Sequence, residues 1–344
     1  MVYTSLRRAG ISAALYTSPH LVDVRERMIV DGSPIPRDAL THWTNLLKVA
    51  IEASDASFFE ATTAIAFADF AARGAEIAVV EVGLGGRLDA TNVVSPLVSA
   101  VTNVRLEHTD YLGDSLDQIA WEKAGIAKLD TPFVIGENDP RLVRRLRECA
   151  AERGAEVHEI PADHAYSGPI ALAGCYQRRN AAVAEKMLKL LPKELRPDPK
   201  EIAAGIGSAF VPGRFDRRGK WLFDVAHNPS GVRALVDQIR QSEPPTPIHA
   251  LVAMAGDKDW QTILPLLIET VDSIWLTVAP SMPRERVPDI EQMALFARPG
   301  IVCESDFETS MDSVYRGAGT ALVTGSFFTV GDALARLPGF APLG

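Results

Sequence analysis

Short apolar runs alternate with helical stretches along the whole of this chain. In the first half the runs are ISAALYT (11–17), EIAVVEVG (76–83), LVSAVTNV (97–104) and PFVIG (132–136), each about the length of a buried strand. Helical stretches lie between them at Pro36–Ser54, Ala61–Arg73 and Ser115–Lys128. Such alternation predicts parallel strands joined by crossover helices. The opening MVYTSLRRAG reads as the last turns of a helix, with basic residues before a stop at Gly10. A chain that starts inside a helix is expected to have lost what came before it.

The second half repeats the theme. KWLFDVAHNP (220–229) predicts a strand entering a helix at Asn228-Pro229, and IHALVAMAG, SIWLTVAP, GIVC and ALVTGS predict later strands. Between the halves, FVPGRFDRRGK (210–220) mixes proline, glycine and charge and marks a domain boundary, placed so that the domains are 1–216 and 217–344. Pro244–Pro247 reads as a loop inside the second domain. With 344 residues, two α/β domains are the natural count.

Composition narrows the class. Hydrophobic residues make up 47% and charged residues 23%, ordinary for a soluble globular protein. The formal charge of −9 gives no footprint for nucleic acid, though it leaves room for a local basic pocket. Cys149, Cys175 and Cys303 are far apart and odd in number, which argues against disulfides or zinc and for a reducing cytoplasm. No apolar stretch reaches the roughly 18 residues of a membrane span, and no signal peptide is seen.

VVEVGLGGRLDATN (79–92) raises the question of a phosphate loop. A dinucleotide fingerprint needs G-x-G-x-x-G opening a helix. Here the glycines are Gly83, Gly85 and Gly86, position 88 is leucine, and LDATNVVSP is a poor helix. GRFDRRGKW (213–221) misses the P-loop pattern by one residue and ends in Trp221, which has no hydroxyl for Mg²⁺. The glycine segment is therefore a tight turn whose bare backbone could approach a ligand.

Glu81 falls inside a run expected to be buried, so it is either a metal ligand or a satisfied core acid. His108, beyond the next strand, makes a second candidate, although histidine is not the usual magnesium ligand. Lys123 in WEKAGIAK reads by itself as a solvated helix lysine. Asp224 sits where a carboxylate caps a helix or binds ribose hydroxyls. Asn228-Pro229 is a natural N-cap and first helical residue, which leaves His227 without a structural reason.

Taken together, YTSPHLVDVRERMIVDG, FFEATTAIAFADFA, VVEVGLGGRLDATNVV, EHTDYLGDSLDQIAWEKAGI, VPGRF and DVAHNP resemble the folylpolyglutamate synthase / dihydrofolate synthase family of the Mur ligase superfamily, in order from the first residues to beyond Gly256–Trp260. After Trp260 the match is weaker. The resemblance implies a P-loop-type central α/β domain, here N-terminally truncated, followed by a smaller Rossmann-like α/β domain. It implies an ATP- and Mg²⁺-dependent ligase that phosphorylates a dihydropteroate or folate carboxylate and joins it to L-glutamate, in a cytoplasmic monomer. By the same resemblance Ser18, Glu81 and His108 match magnesium ligands, and Lys123 matches a carbamylated lysine. Asn180, Arg214 and Asp224 match ATP contacts, with His227 beside them. Phe58, Phe59, Glu60, Leu88, Asp89 and Ala90 match the pterin-binding loops.

The departures are specific. The family carries its strand and P-loop just upstream of the helix that opens this chain, and the 344 residues contain neither. Losing that strand is expected to leave neighbouring backbone groups unpaired. Glu107 stands where the family usually has aspartate, and Tyr176 where it usually has histidine. The alternatives are a non-catalytic pteroate- or nucleotide-binding remnant and another Mur-type amide ligase. A nicotinamide oxidoreductase is remote, given the failed glycine spacing.

Overall fold

The computed structural model describes residues 1–289, 293, 295–297 and 299–340. Contacts divide the chain into two compact units. The first comprises Met1–Ser18, Val24–Ala171 and Cys175–Phe210. The second comprises Pro19–Asp23, Leu172–Gly174 and the residues from Val211 onward.

In the first unit, helix α1 (Val2–Arg8) leads into β1 (Ala13–Tyr16), as the opening pattern predicts. β1 then pairs antiparallel with β2 (Met28–Val30), which folds back on β3 (Ser33–Pro34). The alternation of runs does not foresee this hairpin. Its signal is Asp31-Gly32, both at positive φ (54° and 84°), a pair that suits a two-residue hairpin turn. The Asp31 carboxylate holds the turn against β1, accepting from Ala13 N (2.9 Å), Ser12 Oγ (2.9 Å) and Arg7 Nη1 (2.6 Å).

Helices α2 (Arg37–Ala53) and α3 (Phe58–Ala72) follow. α3 starts three residues ahead of the expected Ala61 because Ser57 and Glu60 form a capping box. β4 (Ile77–Val80) returns parallel to β1 and completes a sheet ordered β3-β2-β1-β4. A second, parallel sheet of β5 (Ser99–Val101), β6 (Pro132–Ile135) and β7 (Glu156–Glu159) occupies the same unit. β4 and β5 each pair on one side only. Ile77, Val79, Val98, Ala100 and Val134, drawn from both sheets and their flanks, nevertheless pack on one core with Leu6, Ala181 and Val183.

Helix α5 (Leu116–Lys123) follows the short helix α4 (Thr109–Leu112) and ends earlier than the expected Lys128, in a 3-10 turn at Ala124–Ile126. The reason is Gly125, where a Cβ would meet Arg87 Cα at 2.4 Å, so the chain must turn aside to let the glycine loop through. α6 (Pro140–Glu152), α7 (Cys175–Leu190) and α8 (Pro199–Gly207) complete the unit.

The second unit is one six-stranded sheet, ordered β12-β11-β10-β13-β9-β8. Its strands are β8 (Asp216–Arg218), β9 (Trp221–Phe223), β10 (Ile248–Val252), β11 (Ser273–Leu276), β12 (Ile301–Cys303) and β13 (Thr320–Thr324). All neighbours run parallel except the edge strand β8, which forms a hairpin with β9. Asn228 caps the helix Pro229–Ser242 by accepting from Gly231 N at 2.7 Å, the structural role its sequence position indicates.

Candidate active site

β1 and β4 are parallel neighbours, so residues just past their ends lie side by side. Ser18 and Glu81 occupy those places, and the Glu81 carboxylate accepts from Ser18 N at 2.9 Å. Glu81 is exposed, contrary to the expectation of burial, because β4 is open on its far side. It therefore needs no buried partner and stays at the open carboxyl end of the sheet, where ligands of α/β proteins bind.

His108 is exposed and caps the four-residue helix α4 from the left-handed region, at φ 52°. Backbone strain at a non-glycine residue is a feature of functional loops. No hydrogen bond or ion pair given by the structure joins His108 to Glu81 or Ser18. Among the described residues, no three His, Cys, Asp or Glu side chains converge to hold a metal.

The glycine turn is not a phosphate cradle; it docks on the end of α5. A Cβ on Gly86 would meet Glu122 O and Lys123 O, each at 3.0 Å, and Arg87 N donates to Glu122 O at 2.9 Å. Arg87 also pairs with the Glu122 carboxylate at 2.9 Å and lies 4.5 Å above the Trp121 ring. The Asp89 carboxylate closes the turn, accepting from Gly83 N (3.0 Å), Leu84 N (2.9 Å) and Thr91 N (2.9 Å). Leu88, at the apex, is 78% exposed. Ala90 begins the short 3-10 turn that Asp89 caps.

Phe59 packs against the turn, since a Cβ on Gly83 would strike its ring at 2.4 Å. Phe58 is 60% exposed, with the Arg27 guanidinium 5.4 Å from its ring centre. The Glu60 carboxylate is engaged in the α3 cap, accepting from Ser57 N at 2.8 Å. Lys123 ends α5 half-buried rather than solvated, and burial pushes its ammonium below the ordinary lysine range while the Glu107 carboxylate pulls it partly back.

In the second unit, Asp224 stands just past β9 and ties two loops together. One carboxylate oxygen accepts from Phe215 N and the other from Ala226 N, each at 2.9 Å. Burial raises the Asp224 carboxyl, and those two N–H donors and the Arg214 charge oppose the rise. Phe215, next to Arg214, is in the left-handed region at φ 50°. The Arg214 guanidinium lies 5.6 Å from the Phe327 ring centre, and the His227 ring also lies 5.6 Å from it. Arg214 and His227 thus share the Phe327 ring as a wall, and Asp224 lies near enough to Arg214 to feel its charge. Asn180 lies on α7 in the first unit, donating to Gln177 Oε1 at 3.1 Å.

Models of two Mur ligase domains match the chain, the middle domain over residues 37–184 and the glutamate ligase domain over residues 213–327. The dihydrofolate synthase/folylpolyglutamate synthase of Escherichia coli is 32% identical over 94% of this chain and 80% of its own length. The chain belongs to the folylpolyglutamate synthase/dihydrofolate synthase family of Mur ligases. Its fold agrees, with a TM-score of 0.83 and 29% identity to E. coli FolC in complex with DHPP and ADP, covering 97% of this chain and 84% of that one. The Yersinia pestis bifunctional enzyme complexed with AMPPNP and Mn ion gives 0.82 at 30% identity, over 97% and 84%. A probable bifunctional folylpolyglutamate synthase/dihydropteroate synthase of Haloferax volcanii is 33% identical over 97% of this chain. The chain spans less than half the length of that relative and of its Halobacterium salinarum counterpart, 44% and 42%.

The oxygen donors at the family's site suit a hard cation. Mg²⁺ binds through one or two protein oxygens, with water and substrate phosphate completing its shell, and the Glu81 carboxylate and Ser18 hydroxyl can supply the protein share. Two further residues shape the site and were not singled out in the sequence. Glu137, 1% exposed, accepts from Val104 N (2.7 Å), Asn138 N (2.8 Å) and Arg105 Nη1 (3.1 Å), which anchors the loop leading to His108. Arg179, next to Asn180, donates to the carbonyls of Gly136, Glu137, Ile160 and Pro161 across the ends of β6 and β7. Their sequence signal is a carboxylate directly after the apolar run PFVIG and a doubled arginine at the start of α7.

Proposed function

We propose that this chain is an ATP- and Mg²⁺-dependent ligase unit that joins L-glutamate to the carboxylate of dihydropteroate or folate. The observation that carries the reading is Glu81 tied to Ser18 at neighbouring strand ends, beside a glycine turn seated on the Lys123 end of α5. A carboxylate oxygen of the pterin substrate attacks the γ-phosphorus of ATP, giving an acyl phosphate and ADP. The glutamate amine then attacks the acyl carbon, phosphate leaves, and an amide remains. Mg²⁺, when bound, neutralises charge on the transferring phosphoryl group. Ser18 and Glu81, with His108, would hold it.

Leu88 and Phe58, exposed beside the turn that Asp89 closes, offer apolar contact to a pterin ring. Phe59, Glu60 and Ala90 build that surface from behind. Arg214, Asp224 and His227 of the second unit are assigned to the nucleotide. Lowered basicity leaves Lys123 a larger neutral fraction, the form that adds CO₂ to become a carbamate. A cytoplasmic monomer acting on small molecules fits the charge of −9, the free thiols Cys149 and Cys303, and the absence of a membrane-length apolar helix among the described residues.

Equilibrium binding of dihydropteroate, together with ADP release that depends on glutamate and dihydropteroate, tests the reading. Loss of pterin binding would remove the substrate assignment.

A further inference from the structure

We propose that Arg87 is a positioning residue that couples the pterin turn to the Lys123 end of α5, so that a carbamate on Lys123 and a pterin on the turn each favour the other. The inference rests on the ligase reading above for what occupies the two ends.

The backbone of the turn is seated on α5 whatever side chain position 87 carries. Arg87 N donates to Glu122 O, and Asn92 Nδ2 donates to the carbonyls of Arg87 (3.0 Å) and Gly125 (3.2 Å). Lys128 Nζ in turn holds Asn92 O at 3.0 Å. The Arg87 side chain makes a different connection. It grips the two residues immediately before Lys123, with Nη2 donating to Glu122 Oε1 at 2.9 Å and the guanidinium 4.5 Å from the Trp121 ring centre. Leu88, the exposed apex, follows Arg87 directly in the chain. One residue therefore carries the apex on its backbone and holds the helix end with its side chain.

Two observations make this grip more than a surface ion pair. The Glu122 side chain is only 15% exposed, so solvent screens the pair less than it would an exposed one. Arg87 Nε is buried without a hydrogen-bond acceptor, so the guanidinium is held by one hydrogen bond and one ring face instead of a bidentate fork. A seat with an unmet buried donor is sensitive to small movements of the helix end. Charge works in the same direction. Addition of CO₂ to the neutral Lys123 amine forms an N–C bond, releases a proton to water and leaves an anion. The Glu107 carboxylate, which attracts the ammonium, repels that anion. Glu122 would add a second negative charge next to it, and the ion pair with Arg87 cancels that charge. Coupling of this kind is reciprocal, so either end can be read from the other.

The test measures the dihydropteroate Kd by calorimetry in CO₂-free buffer and in bicarbonate, with chloride matching the ionic strength. Wild type, R87A, E122Q and K123R are compared after circular dichroism confirms folding; E122Q removes the ion pair while keeping the side-chain shape. Bicarbonate is expected to tighten wild-type binding by about fivefold or more, the lower end of ordinary coupling between sites. The ratio of the two Kd values should fall to one in R87A and K123R and be reduced in E122Q. A merely structural Arg87 would weaken binding in both buffers and leave the ratio as in wild type, and that result overturns the proposal, as does a wild-type ratio of one. Amide exchange of residues 83–92 reads the same link without any pterin: bicarbonate should slow it in wild type and not in R87A. If wild type binds no dihydropteroate yet shows this slowing, the ligase reading falls and the coupling stands. If dihydropteroate binds and bicarbonate changes neither measurement, the coupling alone falls.

Discussion

Asp89 shows how one side chain sets a loop. Its carboxylate takes three backbone N–H groups, from Gly83, Leu84 and Thr91. Replacing it with alanine leaves those donors without their acceptor. The expected cost is about 2 kcal/mol, read as a fall in the urea midpoint, because hydrogen bonds to a charged acceptor lie in that range. An unchanged midpoint would mean that the turn is held by its glycine contacts alone. Glu81 is different, since it is exposed, and its carboxylate accepts from Ser18 N of the neighbouring segment. In a version that turns over ATP, Glu81→Ala should abolish activity while the midpoint moves little; retained turnover removes Glu81 from the metal site. Glu137 makes a pH prediction. Burial raises its carboxyl, but the N–H groups of Asp139, Val104 and Asn138 and the Arg105 charge outweigh burial and leave it below the ordinary value of 4.5. A depressed folded value means the unfolded chain binds the proton first, so the stabilisation is complete above about pH 4.5 and disappears as pH falls through the folded value. Urea midpoints of Glu137→Gln should therefore fall below wild type at neutral pH and converge with it in acid. A constant difference across pH would rule out this linkage.

Elements decide how much could be seen from the sequence alone. Strands drawn from apolar runs, such as AALY in β1, IAVV in β4 and ALV within β13, are where the pattern puts them; β1 and β13 are mostly or wholly buried, while the edge strand β4 is only partly so. β7, with the sequence EVHE, was not legible, since its polar residues interrupt any run and its pairing to β6 is tertiary. β8, which falls in the segment read as a domain boundary, is an edge strand, turned onto β9 at Gly219, φ 61°. The site was half legible. Strand-end residues Ser18, Glu81 and Asp224 stand where α/β architecture places chemistry, whereas Glu137 and Arg179 act by backbone contacts that leave no spacing rule. Helix contacts give a sharper test. A Cβ on Gly205 of α8 would meet Ser5 Cα of α1 at 2.3 Å, a clash with backbone that no side-chain rotation relieves. Gly205→Ala should therefore destabilise the first unit by roughly 1–3 kcal/mol, while Gly10→Ala, with open space around it but φ 78°, tests backbone strain alone. If thermal melting finds Gly205→Ala no worse than Gly10→Ala, the two helices are not in close contact.

At the scale of the molecule, the unfilled sheet edges carry the last prediction. Ile77 N and Glu81 N donate to Ser12 O and Tyr16 O of the β1 side. Alternation along a parallel strand then turns the N–H and C=O of Ala78 and Val80 away from β1. On β5, Val101 O accepts from Gly136 N, so the groups of Ala100 face away from β6. Two parallel edges of one unit thus present backbone donors and acceptors to the same core. The Met1 ammonium is buried as well, and burial lowers it from 8.0 to about 6. Between pH 6 and pH 8 the unfolded chain therefore holds more of that proton than the folded one, and stability should rise with pH across this window. Extending the chain ahead of Met1 with a parallel strand and a G-x-x-x-x-G-K-[ST] loop replaces the amine by an amide and fills the edges. Urea midpoints at pH 6 and pH 8 should then be higher and nearly equal, and glutamate-dependent ADP release should appear. An extension that leaves the pH slope intact would show that the new segment does not enter the sheet. Higher stability without ADP release would show that the added backbone enters the sheet without supplying a phosphate site.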